Sequence, residues 1–112
     1  MSDFYCDEAL SGRTPVKVVT ETDRVLAFEH TRPMYPVHIV VVPKAHTPSL
    51  TELGAGGELV LGQVLEVVRS VAAKVHATYG AAQVTTNLGA YQESKHLHFH
   101  VIYRGQLAEG RV

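Results

Sequence analysis

The stretch of sequence that decides the fold is His96-Leu97-His98-Phe99-His100-Val101-Ile102, in which three histidines alternate with apolar residues. Successive side chains of a β-strand point to opposite faces, so a strand here places the three histidines in one row. The apolar side chains between them then point into a core. In a helix the same residues would scatter around the axis. The alternation therefore predicts a strand at residues 96–103 and a histidine-lined site on one of its faces.

The rest of the chain predicts the elements that surround this strand. Runs of β-branched and apolar residues predict strands at residues 16–20, 25–29, 38–43 and 83–87. Apolar residues at three- and four-residue spacing predict a long helix over residues 58–79, which Gly80 ends, and residues 4–10 form a candidate short helix. The last two strands follow one another closely and should pair as a hairpin. We therefore expect a single α+β domain over residues 1–112, a five-stranded antiparallel sheet with the long helix on one face.

Composition restricts the classes of protein to which the chain can belong. The 112 residues are 46% hydrophobic and 19% charged, as in an ordinary globular domain, and 10 Lys and Arg nearly balance 11 Asp and Glu. The basic residues do not cluster, which argues against a nucleic-acid partner. No apolar run approaches the length of a membrane span. A single cysteine and the lack of a visible secretory signal favour a cytoplasmic setting without disulfides.

The histidine row supports two kinds of chemistry. A neutral imidazole is a nucleophile and an imidazolium binds anions, so three histidines on one strand can divide these roles. His98, in the centre, is the candidate nucleophile, and cationic imidazoles at His96 and His100 would stabilise charge that grows on a phosphoryl group. A His-x-His pair with a third histidine is also a zinc-binding pattern. Spacing alone leaves phosphoryl transfer and metal binding equally open.

The chain resembles the histidine triad (HIT) family, and the resemblance extends beyond this strand. Residues 96–102 match the family signature, three histidines alternating with apolar residues and followed by two apolar residues. Residues 36–46 resemble the family's middle strand with its Pro-Lys-x-His ending. The segments that resemble the start of Hint-type members are residues 4–6, 14–16 and 21–28. The resemblance covers nearly the whole chain and implies the Hint-like branch.

The resemblance implies a nucleotide hydrolase or transferase that acts at the α-phosphate of purine nucleotides, such as nucleoside phosphoramidates or AMP esters. His98 would attack the phosphorus in line and form a nucleotidyl-histidine, which water hydrolyses. His96 and His100 would hold the phosphate oxygens or the leaving group. His38 by itself suggests a polar strand-end residue, but it matches the fourth histidine of the family site. The family precedent implies a homodimer that uses no cofactor.

The same resemblance implies the substrate contacts. Gln92 matches a glutamine that contacts the phosphate or the leaving group, and Asn87 matches an asparagine of the same pocket. The residues that lie where the family builds its base pocket are Tyr5, Cys6, Ala9 and Val40.

Three positions depart from the family pattern. His30 stands where the Hint and Fhit branches place an Asp or Asn that grips the ribose hydroxyls. Glu93 follows Gln92 where a small hydroxyl residue is usual, and Ser94 is the candidate substitute one position later. Asp3 replaces the first cysteine of the zinc-binding members, so we expect no structural zinc.

Two other hypotheses accompany the hydrolase. His30 and Glu93 motivate a non-catalytic nucleotide-binding or interaction protein. A metal protein would instead use His38 together with His96, His98 and His100.

Overall fold

The fold is a five-stranded antiparallel sheet with one long helix packed against one face. The computed structural model describes residues 15–105. Three strands, β1 (Val18–Glu21), β2 (Val25–Glu29) and β3 (Val37–Pro43), precede the helix α1 (Gly57–Tyr79), and β4 (Gln83–Thr85) and β5 (Phe99–Tyr103) follow it. The strand order is β1-β2-β3-β5-β4, and every neighbouring pair is antiparallel. The predicted α+β class and the hairpin of the last two strands are confirmed, while the candidate helix at residues 4–10 lies outside the described residues.

The strand predicted over residues 96–103 begins only at Phe99, which corrects the sequence analysis. The main chain of residues 96–98 leaves the ladder for other partners. The N–H of Leu97 donates to the carbonyl of Thr47 at 2.6 Å, and the hydroxyl of Thr86 donates to the carbonyl of His98 at 2.7 Å. The three histidines therefore lie on both sides of the start of β5: His96 and His98 precede the strand, and His100 lies within it. The other boundaries differ from the predicted ones by two residues or fewer.

The helix covers one face of the sheet through a stripe of valines. Its buried side chains include Val64, Val67, Val68, Val71 and Val75, at the spacing that keeps one face of a helix toward a core. They join the apolar residues of the facing strands, which are Val25, Ala27, Ile39, Val41, Phe99 and Val101, together with Leu97. Each fully buried valine contributes about 1.5–3 kcal/mol of burial free energy.

The opposite face of the sheet carries a second, smaller apolar cluster of Leu26, Phe28, Val40 and Val42. Because residues alternate along β3, Val40 and Val42 point away from the helix while Ile39 and Val41 point toward it. Val40 pairs with His100 across β3 and β5. The histidines of β5 and β3 therefore lie on the face that the helix leaves uncovered.

Two glycines fix the ends of the helix. Gly80 takes a left-handed conformation at φ 89°, and its N–H donates to the carbonyl of His76 at 2.8 Å. At the other end, a Cβ on Gly57 would collide with the side chain of Leu53. Among the described residues no helix is long and apolar enough to cross a membrane.

Candidate active site

β3, β5 and the segment just before β5 bring His38, His98 and His100 together. His38 pairs with Ile102 and His100 with Val40, so His38 and His100 are diagonal neighbours on one face. The Nε2 of His38 lies 2.9 Å from the Nδ1 of His100. The rings of His98 and His100 meet edge to face with centroids 5.0 Å apart. The predicted fourth histidine therefore lies in hydrogen-bond contact with the triad.

His96 lies at the end of the triad near Pro43. Its ring is fully buried, and its Nε2 donates to the carbonyl of Pro43 at 2.7 Å. The ring of His46 packs edge-on against it with centroids 5.1 Å apart. Since this Nε2–H is bound to the main chain, a role for His96 at the phosphate oxygens stays a prediction.

A main-chain carbonyl fixes the proton of His98. The Nδ1 of His98 lies 2.7 Å from the carbonyl oxygen of His96. A carbonyl only accepts hydrogen bonds, so Nδ1 carries the proton. In the neutral ring the lone pair is then on Nε2. That is the tautomer that a nucleophilic imidazole needs, and the carbonyl also stabilises the positive charge that the ring gains when Nε2 forms a bond.

A main-chain N–H fixes the proton of His38, and through it that of His100. The N–H of Met34 donates to Nδ1 of His38 at 3.3 Å, so neutral His38 carries its proton on Nε2. That proton is donated to Nδ1 of His100, which leaves the proton of His100 on its Nε2. His100 therefore presents an Nε2–H donor, and its ring meets the ring of His98 edge to face.

Burial keeps His38 and His100 neutral. Burial lowers the pKa of His38 to about 4, and the charge of His30 contributes further. Burial also lowers the pKa of His100 to about 3, with smaller contributions from His98, His38 and His30. At neutral pH both rings are uncharged. At neutral pH the site therefore offers His100 as a neutral N–H donor, where the sequence predicted a cationic imidazole.

His30 joins this cluster. Its ring stacks on His38 with centroids 4.3 Å apart and an angle of 26° between the planes. Its Nδ1 accepts the N–H of Arg32 at 2.9 Å. Burial lowers the pKa of His30, while the carboxylate of Glu93 acts in the opposite direction. The two departures from the family pattern, His30 and Glu93, thus lie close enough to interact.

Distances alone would allow a metal ion between His30, His38 and His100. One ring nitrogen of each lies within 4.8 Å of the others, and this is the set that the described part of the chain offers. It differs from the set of the metal hypothesis, which includes His96 and His98. The Nδ1 atoms of His30 and His38 accept main-chain N–H groups, so their Nε2 atoms carry protons. A metal needs lone pairs, and this donor arrangement suits a hydrogen-bond acceptor better than a cation.

The remaining residues that the sequence predicts as substrate contacts differ in burial and in hydrogen bonding. Gln92 is buried, and its amide donates to the carbonyl of Pro48 at 2.7 Å. The hydroxyl of Ser94 is buried and has no hydrogen-bond partner among the described residues. Asn87 is half-buried after β4, and Val40 is fully buried in the apolar cluster beside His100. Tyr5, like Cys6 and Ala9, lies outside the described residues.

Sequence reasoning missed the main-chain groups that fix these rings. The carbonyls of Pro43 and His96 and the N–H of Met34 carry no sequence signal, because every residue has such groups. The hydroxyl of Thr86 and the ring of Tyr35, which contacts His38 edge-on at 5.3 Å, were not singled out either. The prolines on both sides of Tyr35 indicate a rigid loop, and that is the signal that could have found it.

The chain is similar to known proteins in both sequence and fold. A model of the HIT domain matches residues 11–107. A HIT-like protein of Synechococcus elongatus, itself uncharacterised, is 37% identical over 107 residues, which cover 95% of this chain and 94% of that protein. The purine nucleoside phosphoramidase of Escherichia coli K12 is 31% identical over 94 residues, covering 79% of this chain and 76% of the enzyme. A solved histidine triad protein from Clostridium difficile is 32% identical with a TM-score of 0.79, covering 96% of this chain and 95% of that one.

Proposed function

Since this chain belongs to the HIT domain family, we propose that it hydrolyses nucleoside phosphoramidates or AMP esters through a nucleotidyl intermediate on His98. The observation that carries the proposal is the hydrogen bond from Nδ1 of His98 to the carbonyl of His96. It sets the Nε2 lone pair on the side of the ring away from that carbonyl. The similarity to a purine nucleoside phosphoramidase supports the choice of substrate.

In the first step the Nε2 of His98 attacks the α-phosphorus and forms an N–P bond. The bond from phosphorus to the leaving amine or alcohol breaks, and the leaving group takes up a proton from solvent. The Nε2–H of His100 donates to a phosphoryl oxygen, where negative charge grows. The carbonyl of His96 stabilises the charge that develops on the ring of His98.

In the second step water attacks the phosphorus and the N–P bond breaks. The water gives up one proton to solvent, which replaces the proton that the leaving group took up in the first step. The nucleoside monophosphate leaves, and His98 returns to the Nδ1–H tautomer that the carbonyl of His96 favours. Atoms and charge balance without a metal or a redox cofactor. The ring of His98 therefore acts as nucleophile in one step and as leaving group in the next.

Several residues complete the proposed substrate site. Ser94 supplies a hydroxyl for the leaving group, a role that its buried hydroxyl without a partner supports. Gln92 and Asn87 contact the phosphate region, His30 lies at the ribose side and Val40 lines the base pocket, to which the family resemblance also assigns Tyr5. We further propose the Hint-like branch, a cytoplasmic setting and a homodimer. The edge position of β4 and the 44% exposed Val84 on it support the homodimer.

The test is steady-state hydrolysis of an adenosine phosphoramidate by the wild type and by His98→Ala, with His76→Ala as the matched control. His76 is an exposed histidine in the last turn of α1. We expect His98→Ala to lose turnover by a factor of about 10⁴ or more and His76→Ala to keep it, with equal circular dichroism spectra. Wild-type protein that binds AMP without turnover would support the non-catalytic alternative and contradict the proposal.

A further inference from the structure

His30 packs against His38 in a way that the proposed chemistry leaves unexplained. We propose that His30 is a positioning residue whose ring, stacked on His38, holds His38 in the orientation that donates an N–H to His100. The inference rests on the proposed function for its kinetic consequence. Its structural part concerns only the orientation and protonation of His38. It adds to His30 a role that a contact with ribose would not require.

The main chain holds His30 beside His38. The N–H of His30 donates to the carbonyl of His38 at 2.8 Å, which continues the pairing of β2 with β3 by one residue. The N–H of Arg32 then donates to Nδ1 of His30 at 2.9 Å and fixes the rotation of its ring. These two hydrogen bonds therefore fix both the position and the rotation of the His30 ring beside His38.

The ring of His38 is restrained from three sides. His30 covers one face, with centroids 4.3 Å apart and planes 26° from parallel. The ring of Tyr35 meets it edge-on at 5.3 Å, and the N–H of Met34 binds its Nδ1 at 3.3 Å. Aromatic contacts of these two geometries are favourable. Together they hold the Nε2–H of His38 toward Nδ1 of His100, 2.9 Å away.

Without the imidazole at position 30, water would reach the ring of His38. His30 and His38 both line a cleft of about 410 Å³ between the loop at residues 30–37 and the last turns of α1. Loss of the imidazole would uncover the face of the His38 ring on which it stacks. A hydrated His38 ring could rotate and take a second proton, which would break the hydrogen bond from Met34 to its Nδ1. His100 would then lose its fixed tautomer.

The charged and titratable groups around His30 are consistent with this role. His38 faces it from β3, His100 lies 6.1 Å away on β5, and Glu93 acts on it from the segment before β5. Tyr35 and Arg32 belong to the same loop as His30. Burial outweighs the carboxylate of Glu93 and lowers the pKa of His30, so the stacked ring is neutral near pH 7. A neutral ring at this position covers His38 without adding a charge.

The test compares His30→Ala, which removes the ring, with His30→Phe, which keeps an aromatic face but cannot titrate. Side-chain ¹⁵N NMR of the full chain reports the tautomer and protonation of His38 and His100 between pH 4 and 8 and needs no turnover. In the wild type and in His30→Phe we expect His38 to stay neutral and Nε2–H protonated at pH 6. In His30→Ala we expect its apparent pKa to rise by about one unit or more.

Kinetics on an adenosine phosphoramidate supply the second readout. We expect His30→Ala to lower kcat by about tenfold or more and to change KM by less than about threefold, and His30→Phe to restore most of kcat. A purely ribose-binding His30 would instead raise KM in both variants and leave the spectrum of His38 unchanged, and that result would overturn the inference. Wild-type protein without turnover would contradict the proposed function alone, because the NMR comparison still decides the positioning role. Should His30→Ala fail to fold, His30→Leu serves as the variant without an aromatic ring.

Discussion

At the scale of single residues, main-chain groups decide which nitrogen of each histidine carries the proton. The carbonyl of His96 places the proton of His98 on Nδ1, and the N–H of Met34 places that of His38 on Nε2. The sequence predicted which histidines form the site, because alternation with apolar residues is visible in the letters. It could not predict the tautomers, because the main-chain groups that fix them are present in every residue and carry no sequence signal. It could not predict the neutrality of His100 either, because that depends on burial in the folded protein.

His38→Phe tests the hydrogen bond from His38 to His100. The phenyl ring keeps the stack with His30 but offers no N–H, so neutral His100 is no longer held as the Nε2–H tautomer. We expect kcat for an adenosine phosphoramidate to fall by about 100-fold. His76→Phe, a change at an exposed histidine, should leave kcat unchanged. A His38→Phe enzyme within about twofold of the wild type would show that this hydrogen bond has no catalytic role.

The lowered pKa values of His38 and His100 predict a loss of stability in acid. Their folded-state pKa values of about 4 and about 3 lie below the ordinary value of 6.5. Between these values the unfolded chain binds more protons, so the free energy of unfolding decreases as the pH falls from 6.5 toward 4. Urea unfolding at pH 7.5 and pH 5 measures this, and His38→Phe should show a weaker pH dependence. Equal or greater stability at pH 5 would contradict the assignment of neutral, buried rings.

At the scale of elements, periodicity predicted the sheet strands and the helix well. The apolar spacing over residues 58–79 differs from the observed α1 by one residue, and β2 lies at the predicted residues. The last strand was predicted too long. Residues 96–98 have the alternation of a strand, but Leu97 binds the carbonyl of Thr47 instead of a ladder partner. Side-chain alternation reports which face a residue occupies and not which main chain it pairs with.

Two glycines of the helix region give opposite predictions for the same substitution. Gly80 has φ 89°, where an L side chain is strained, and Gly62 lies within α1 with open space around a Cβ. We expect Gly80→Ala to lower the free energy of unfolding by about 1 kcal/mol. Gly62→Ala should raise it by about 0.5–1 kcal/mol because alanine has the higher helix propensity. Thermal and urea unfolding measure both, and the same sign for the two would refute the helix boundary.

Substitution of Leu97 tests how much the apolar residues that alternate with the three histidines contribute to the core. Its side chain is 1% exposed and lies in the cluster between the sheet and α1. We expect Leu97→Ala to cost about 2–5 kcal/mol of unfolding free energy, through lost burial and the cavity that remains. Leu59, at 71% exposed, is the matched control. Leu59→Ala should change stability by no more than about 0.5 kcal/mol, and equal effects of the two would contradict the assignment of Leu97 to the core.

At the scale of the whole molecule, one face of the sheet packs into the core and the opposite face carries the candidate site. The helix and the larger apolar cluster occupy one face, and His38, His98 and His100 lie toward the other. The sequence predicted this division because Leu97, Phe99 and Val101 alternate with the histidines. The family resemblance placed His30 at the ribose side of the site, but the sequence did not predict the stack of its ring on His38, because the rotation of a side chain leaves no pattern in the sequence.

Intact-protein mass spectrometry, after rapid acid-free quenching of the protein mixed with an adenosine phosphoramidate, tests whether His98 is the nucleophile. We expect an adduct of one nucleotidyl group that maps to His98, that disappears as AMP is released and that His98→Ala does not form. The Nδ1–H of His98 on the carbonyl of His96 is the geometry from which this expectation comes. Turnover without an adduct on His98, or with an adduct on another residue, would contradict it.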